Sequence, residues 1–240
     1  MPMTASAAGA LAAAALISAS ATAQPKQYAL ESAAGVRQHN VTAEPATLAG
    51  KKGLRVAVSQ KAASRPGMTP EQLAALETLA VIEGAEFGNG VIEAEIAGAV
   101  APGAAEGARG FVGLAFRLQK DLLTYDAFYL RPTNGRADDQ ERRNHATQYV
   151  SHPDWPWYRL RKETPGRYES YVDLVPGAWT KIRIDVDGGK ARLYVHGHEQ
   201  PALVVNDLKS GPDAKGRVAL WIGPGTVAHF RNLRVEPARR

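Results

Sequence analysis

The sequence predicts an all-β protein, a sandwich or barrel of antiparallel strands, and three observations predict it. Apolar and polar residues alternate with a period of two over most of the chain after residue 78. At least eight such segments are separated by turn residues, roughly every 8–12 positions. No strand–helix alternation and no internal repeat accompanies them, which argues against a parallel α/β sheet, a propeller or a solenoid.

The first predicted elements are short. Residues 54–58 alternate as a brief strand, and Thr69-Pro70-Glu71 is typical of a helix start, with Thr69 as the N-cap of one short helix near residues 70–76. Further strands are predicted over residues 78–82, 90–96, 111–118, 125–131 and 145–150.

The C-terminal part of the chain has the clearest alternation. Residues 179–186 alternate between apolar and charged side chains, Asp187-Gly188-Gly189 predicts a hairpin turn, and residues 191–195 continue the apolar face. Strands over residues 218–222 and 228–235 complete the prediction. The residues expected in or near the core are Ile184, Leu193, Leu220 and Trp221.

The N-terminus predicts export. Residues 1–23 carry no charged side chain, residues 11–17 form a short apolar run, and Ala21-Thr22-Ala23 is similar to a signal-peptidase site. We therefore expect a signal peptide (1–23), an N-terminal extension (24–53) and a single β domain (54–240). The expected location is periplasmic or secreted, with no membrane span after signal removal.

Composition excludes several classes of protein. Hydrophobic residues make up 45% and charged residues 22% of the chain, as in ordinary globular domains. Because there is no cysteine, disulfides, thiolate metal sites and cysteine nucleophiles are excluded. The net charge of +5 is small and dispersed, so nucleic acid is not an expected partner. No cofactor is predicted, and no motif supports a bound Ca²⁺.

Residues 132–167 break the alternation, and candidate binding residues concentrate around them. Nine of the 17 aromatic residues lie between Tyr125 and Tyr171. Aromatic rings stack on the apolar C–H faces of a sugar, while Arg, Asn, His and Gln hydrogen-bond its hydroxyls. This composition favours a glycan or small sugar as the partner. The alternative is that the aromatic residues fasten a long loop onto the sandwich.

Strand alternation suggests how these residues would converge. We expect Tyr129 and Arg131 to share a concave surface with His145 and Tyr149, although a shift of register by one residue would invert every face. The predicted ligand-binding residues are Tyr129, Arg131, Asn134, Arg143, His145, Tyr149, His152, Trp155, Trp157 and Arg159. The arginines also leave an anionic ligand, such as a uronate or a phosphate, as an alternative.

Catalytic motifs are weak, so enzymatic activity stays open at this point. The candidate acid, base and charge-stabilising residues are His145, Tyr149, Arg143 and His152. Glu93 and Glu95 share a strand face, but the pattern favours a surface pair rather than a catalytic one. No metal site is predicted, because His196 and His198 at a hairpin end are more typical of a turn.

Several segments resemble the concanavalin A-like lectin/glucanase jelly rolls. They are FGNGVIEAE (87–95), WTKIRIDV (179–186), ARLYV (191–195), GRVALWIG (216–223) and FRNLRV (230–235). More narrowly, they resemble exported bacterial proteins of the laminin-G and 3-keto-disaccharide-hydrolase-like type. The resemblance covers about residues 78–235 and implies a two-sheet antiparallel jelly-roll sandwich.

These observations together predict an exported bacterial carbohydrate-binding jelly-roll protein that recognises a glycan through residues 129–159. A glycoside hydrolase or lyase, acting on a neutral, oxidised or acidic sugar, is the first alternative. A structural or partner-binding envelope protein is the second. Because such folds host many functions, the choice among them depends on the site.

Overall fold

The computed structural model describes Met1 and residues 24–238, so the predicted signal peptide falls, apart from Met1, outside the described residues. The described chain forms two antiparallel sheets that pack face to face. We call them the back sheet and the front sheet. The predicted two-sheet antiparallel sandwich is confirmed.

The back sheet contains strands from both ends of the chain. Its members are β1 (Lys26–Tyr28), β3 (Val41–Leu48), β4 (Lys51–Val58), β6 (Gly90–Val100), β11 (Thr180–Asp187), β12 (Lys190–Val195), β13 (Leu203–Val205) and β15 (Thr226–Pro237). The C-terminal strand β15 lies between β4 and β6. The end of the chain is therefore built into the middle of this sheet.

The front sheet has seven strands in the described part of the chain and carries the candidate site. They are β2 (Val36–His39), β5 (Leu79–Phe87), β7 (Val112–Leu118), β8 (Tyr125–Leu130), β9 (Thr147–His152), β10 (Glu169–Ser170) and β14 (Gly216–Ile222). Strand β14 lies between β5 and β7, so the interior of this sheet also contains a strand from the C-terminal part of the sequence.

Helices are short and lie in the connections. They are α1 (Gln60–Ala63), α2 (Pro70–Ala74), α3 (Gln140–Asn144) and α4 (Trp157–Glu163), with a 3-10 helix at Pro132–Asn134. The predicted helix near residue 70 is confirmed as α2. Its N-cap Thr69 accepts a hydrogen bond from the Gln72 backbone, and the Gln72 side chain accepts one from the Thr69 backbone.

We predicted residues 24–53 as an extension that precedes the sandwich. In the structure β1 pairs with β15, β2 with β5, and β3 with β4, so this stretch supplies strands to both sheets. The boundary expected at residue 54 falls inside β4. Pro45 made β3 hard to predict. A proline in a sequence argues against a strand, although an edge strand such as β3 tolerates it.

The core lies between the two sheets. Ile184, Leu193 and Leu220 are buried as predicted. Trp221 is only partly buried, because it points to the opposite face of the front sheet from Leu220. Among the described residues, no helix has both the length and the apolar character that a membrane crossing requires.

Candidate functional site

One cross-strand row on the outer face of the front sheet forms the base of the site. The register pairs Glu169 with Gln148, Gln148 with Tyr129, Tyr129 with Gly113, and Gly113 with Trp221. A Cβ at position 113 would lie 2.6 Å from the Tyr129 Cβ. Because Gly113 has no side chain, the Tyr129 and Trp221 rings stack across it with their centroids 4.7 Å apart.

The same register corrects one predicted face. We expected Tyr149 beside Tyr129, but Tyr149 pairs with Phe128 and therefore points into the core. It is fully buried, and its hydroxyl donates to Asp126 Oδ1 at 2.7 Å. The prediction was wrong because alternation gives the two faces of β9 but not its alignment with β8.

A cavity of about 540 Å³ opens on this outer face, and we call it the front pocket. Helices α3 and α4, the loop before β7 and the turn after β14 form its walls. The lining residues are Ala105, Gly107, Ala108, Arg109, Phe111, Arg131, Asn134, Asp139, Glu141, Arg142, His145, Trp157, Arg161, Pro224 and Gly225. The pocket thus combines aromatic, basic, acidic and amide groups.

An ion cluster, formed by the buried Arg131 and Glu169 and the partly exposed Arg161, lies at the front pocket. Arg131 Nη1 is 3.2 Å from Glu169 Oε1, and their side chains are only 6% and 2% exposed. Arg161 binds the same carboxylate through Nε, at 3.0 Å from Oε2, and through Nη2. Two guanidinium groups therefore share one carboxylate, and the cluster carries a net positive charge.

The side chain of Arg131 is held in one orientation by its neighbours. Nη2 donates to Tyr129 Oη at 3.0 Å and to Gln148 Oε1 at 2.9 Å, while Nη1 also donates to the His145 carbonyl at 3.0 Å. The guanidinium carbon lies 5.0 Å from the centroid of the Tyr129 ring. With the Nη1 contact to Glu169, both Nη groups are fully used, so this fixed guanidinium acts on a ligand mainly through its charge.

His145 caps the C-terminus of α3 and lines the front pocket. Its Nε2 lies 3.8 Å from Glu169 Oε2. Burial lowers the pKa of the imidazole; the nearby Glu169 carboxylate opposes this shift, while Arg161 and Arg131 add to it. The ring therefore stays neutral at neutral pH and can accept a proton.

Two polar atoms at the pocket have no hydrogen-bond partner among the described residues. Asn134 is 4% exposed; its Nδ2 donates to the His145 carbonyl at 3.1 Å, while its Oδ1 is unpaired. The Nε of Arg142 is also buried and unpaired. Buried polar atoms are normally satisfied, so an unpaired acceptor and an unpaired donor at one cavity point to a polar occupant.

The structure brings half of the predicted binding residues together. Arg131, Asn134, His145 and Trp157 line the front pocket, and Tyr129 lies against Arg131 at its base. The indole of Trp157 is 44% exposed, and the guanidinium carbon of Arg161 lies 4.8 Å from the centroid of the indole.

Arg143 and His152 are not among the pocket-lining residues. Arg143 lies over the Tyr171 ring, 4.8 Å from its centroid, and donates to the Tyr171 hydroxyl at 2.9 Å. His152 stacks on Tyr125 with ring centroids 5.0 Å apart, and its Nδ1 lies 3.1 Å from Glu77 Oε1. Both residues make intramolecular contacts away from the pocket.

Trp155 and Arg159 also lie outside the pocket lining. The guanidinium carbon of Arg159 is 3.9 Å from the Trp155 ring centroid, and Lys209 Nζ is 4.8 Å from it. Trp155 further packs against the hydrophobic core. This tryptophan fastens its loop to the sandwich, as the alternative interpretation of the aromatic segment proposed.

No family model matches the sequence, and no curated protein matches it at a significant level. Solved structures are similar over most of the chain. The carbohydrate-binding module CBM66 from Bacillus subtilis has a TM-score of 0.54 and 12% identity, with 83% of this chain and 93% of that chain covered. With the two antiparallel sheets, this likeness decides the fold class. The protein has a jelly-roll fold.

Two further structures share this jelly-roll fold. A Bacillus subtilis protein of unknown function with a galectin-like fold has a TM-score of 0.50 and 15% identity, with 90% of this chain and 96% of that chain covered. The Crh5 transglycosylase, solved in complex with NAG, has a TM-score of 0.50 and 14% identity, with 90% and 85% covered.

Sequence reasoning missed several groups at the pocket of this jelly roll. Glu169 carries the central negative charge, yet β10 is only two residues long and gives no periodic signal. Phe111 lies before β7, far along the chain from the irregular segment. From the sequence, Arg142 and Arg161 are two of several arginines around the irregular segment that leave an anionic ligand open, and nothing local distinguishes a pocket arginine from a solvated one.

The other sequence candidates lie elsewhere in the jelly roll. Glu93 pairs with Arg234 at 3.0 Å, and Glu95 lies 3.5 Å from both Lys51 and Arg231, so the two carboxylates take part in ion pairs on the back sheet. Within the described part of the chain, no group of three or more His, Asp or Glu residues is arranged to hold a metal ion.

Proposed function

We propose that this jelly-roll protein binds a glycan in the front pocket. The observation that carries the proposal is one cavity in which the rings of Trp157 and Phe111 lie with an unpaired acceptor, Asn134 Oδ1. Sugar rings present apolar C–H faces and hydroxyl groups that both donate and accept. A mixed aromatic and polar lining matches both properties.

The contacts of Trp157 support a stacking role. The Arg161 guanidinium lies over the indole and restrains it, while nearly half of the side chain stays exposed. A restrained aromatic ring at a pocket is typical of a binding anchor, because little entropy is lost when it is covered. Asn134 then supplies a free acceptor for a hydroxyl group, beside the fixed guanidinium of Arg131.

The fold neighbours are compatible with this proposal. One is a carbohydrate-binding module, and another is a transglycosylase solved in complex with NAG. At identities of 12% and 14% these likenesses concern the fold, so the proposal depends on the residues of the pocket itself.

Replacing Trp157 with alanine should weaken glycan binding by about tenfold or more, since an aromatic anchor in a binding pocket contributes on the order of 1–2 kcal/mol. The measurement is a titration with a glycan panel, followed by intrinsic tryptophan fluorescence and calorimetry. The matched control is Tyr158→Ala on the same helix. Tyr158 is 62% exposed and does not line the pocket, so this variant should bind like the unmodified protein.

The same titration separates glycan binding from a purely structural role. If no neutral or acidic glycan binds, the proposal is wrong, and the structural or partner-binding alternative gains support. If Trp157→Ala and Tyr158→Ala weaken glycan binding equally, the cause is a loss of stability of α4. Unfolding curves for both variants distinguish that case.

A hydrolase or lyase is the second candidate function, and His145 favours it. This imidazole lines the front pocket, its pKa is lowered by burial, and it lies near the buried Glu169 carboxylate. A neutral, oriented histidine at a cavity can act as a general base. Of the other sequence candidates, Tyr149 is in the core, and Arg143 and His152 contact residues outside the pocket.

Turnover tests this second candidate directly. An enzyme should release new reducing ends, or an unsaturated product, from the oligosaccharides that bind. His145→Gln should then lower turnover at least about a hundredfold, because general acid–base catalysis contributes at least that much. Glycan binding by this variant should persist. Binding without turnover in the unmodified protein would exclude catalysis on those glycans.

We further propose that the protein acts in the periplasm or outside the cell. The support is the uncharged N-terminal stretch that ends in Ala21-Thr22-Ala23, which lies outside the described residues.

A further inference from the structure

We propose that the glycan is acidic and that a sugar carboxylate binds at the arginine side of the front pocket. This inference rests on the proposed function, since it names the class of glycan. Four arginines line the pocket: Arg109, Arg131, Arg142 and Arg161. The nearby carboxylates are those of Asp139 and Glu141 in the lining and Glu169 beside it.

The ion cluster of Arg131, Arg161 and Glu169 carries a positive excess that is partly buried. The buried Arg131 and Glu169 balance each other, and the additional positive charge is that of Arg161, whose side chain is 33% exposed. A partly buried charge without a counter-ion is less favourable than a paired one. A ligand carboxylate beside the two guanidinium groups would neutralise the excess, and it could accept a hydrogen bond from Arg161 Nη1, which does not bind Glu169.

The acidic lining residues do not cancel this excess. Asp139 and Glu141 are both exposed, so their charges are screened by solvent. Asp139 also caps α3, because its Oδ1 accepts a hydrogen bond from the Arg142 backbone at 3.0 Å. These carboxylates therefore lie at the solvated rim, whereas the Arg–Glu cluster lies deeper.

Arg142 supplies an independent indication. It lines the front pocket, its Nε is buried, and that Nε has no hydrogen-bond partner in the described chain. Guanidinium groups bind carboxylates through two parallel hydrogen bonds, one of which commonly uses Nε. The unpaired Nε of Arg142 is thus a donor without a partner in the pocket that Arg131 and Arg161 also line.

The size of the excess favours a carboxylate over a phosphate. Two guanidinium groups and one carboxylate leave about one positive charge, which a monoanionic carboxylate balances. A phosphate monoester carries about −1.5 to −2 at neutral pH and would reverse the sign. A uronic acid also places its carboxylate directly on the sugar ring, within reach of a ring that stacks on Trp157.

The test uses paired glycans that differ only in charge. Oligogalacturonate, oligomannuronate and oligoglucuronate are each compared with their methyl esters, in which the same skeleton is neutral. We expect at least one acid to bind more than about tenfold tighter than its ester at low salt, with the difference shrinking as salt screens the charges. Arg142→Gln should remove most of the difference, and the neighbouring Arg143→Gln should preserve it.

The outcomes separate this inference from the proposed function. Equal binding of acid and ester would overturn the inference and leave glycan binding intact. Binding of neither, and of no other glycan, would overturn both. A sulfated oligosaccharide that binds while every uronide fails would overturn the carboxylate assignment. Circular dichroism of Arg142→Gln confirms that a lost preference does not reflect unfolding.

Discussion

Replacing Arg117 with methionine should lower the free energy of unfolding by about 3–5 kcal/mol, the usual cost of removing one partner of a buried ion pair. Arg117 and Asp126 have side chains that are 0% exposed, and their nearest charged atoms are 3.8 Å apart. Without the guanidinium, the Asp126 carboxylate would remain buried with hydroxyl donors only, from Tyr149 and Ser210. Urea unfolding measures the change.

Arg117 also ties together loops from both sheets. Its hydrogen-bond acceptors are Gly88 O (3.0 Å), Asn89 Oδ1 (3.0 Å), Gly188 O (2.8 Å), Ser210 Oγ (2.9 Å) and Gly211 O (2.8 Å). The residue has a positive φ of 56°, opposite a register shift in β14. This irregularity interrupts the alternation of β7 and turns a charged side chain into the interior. Methionine fills similar space but leaves these acceptors unpaired.

An exposed arginine provides the matched control. Arg136 binds Asp173 through two hydrogen bonds of 2.7 and 2.9 Å, with side chains that are 64% and 53% exposed. Arg136→Met should cost no more than about 1 kcal/mol. Adding Asp126→Asn to Arg117→Met should recover part of the loss, because no unpaired charge then remains. Similar unfolding midpoints for the two arginine variants would show that the buried ion pair contributes no more to stability than the exposed one.

The strands and the fold class could be predicted from the sequence because they follow from local alternation. The core positions Ile184, Leu193 and Leu220 needed only the period of two. The strands before residue 54 were missed, since edge strands bury few side chains and β3 contains Pro45. Local pattern therefore predicted the centre of the sandwich better than its edges.

The candidate site could be predicted only in part, because it depends on pairing between distant strands. Trp157 and Asn134 stood out by residue type in an irregular segment. Tyr149 was assigned to the wrong face, since alternation within β9 does not reveal its partner in β8. Nothing local marked Glu169 as the carboxylate that binds Arg131; only the pairing of β10 with β9 brings it there.

Replacing Glu169 with glutamine should affect both stability and binding. The amide is close to the carboxylate in size but carries no charge, so Arg131 and Arg161 would face each other without a counter-ion. We expect a loss of about 3 kcal/mol in the free energy of unfolding. We also expect at least a tenfold loss in glycan affinity, because the two arginines would no longer be held in fixed positions beside the pocket.

The titration of His145 gives a readout that a general loss of stability would not produce. The Glu169 carboxylate partly offsets the lowering of the His145 pKa by burial, so its removal should lower that pKa further. An NMR titration of the imidazole measures this shift. The control is Glu163→Gln, which removes an exposed partner of Arg159 and should change stability by less than about 0.5 kcal/mol. If both variants behave alike and the His145 pKa does not move, Glu169 does not organise the pocket.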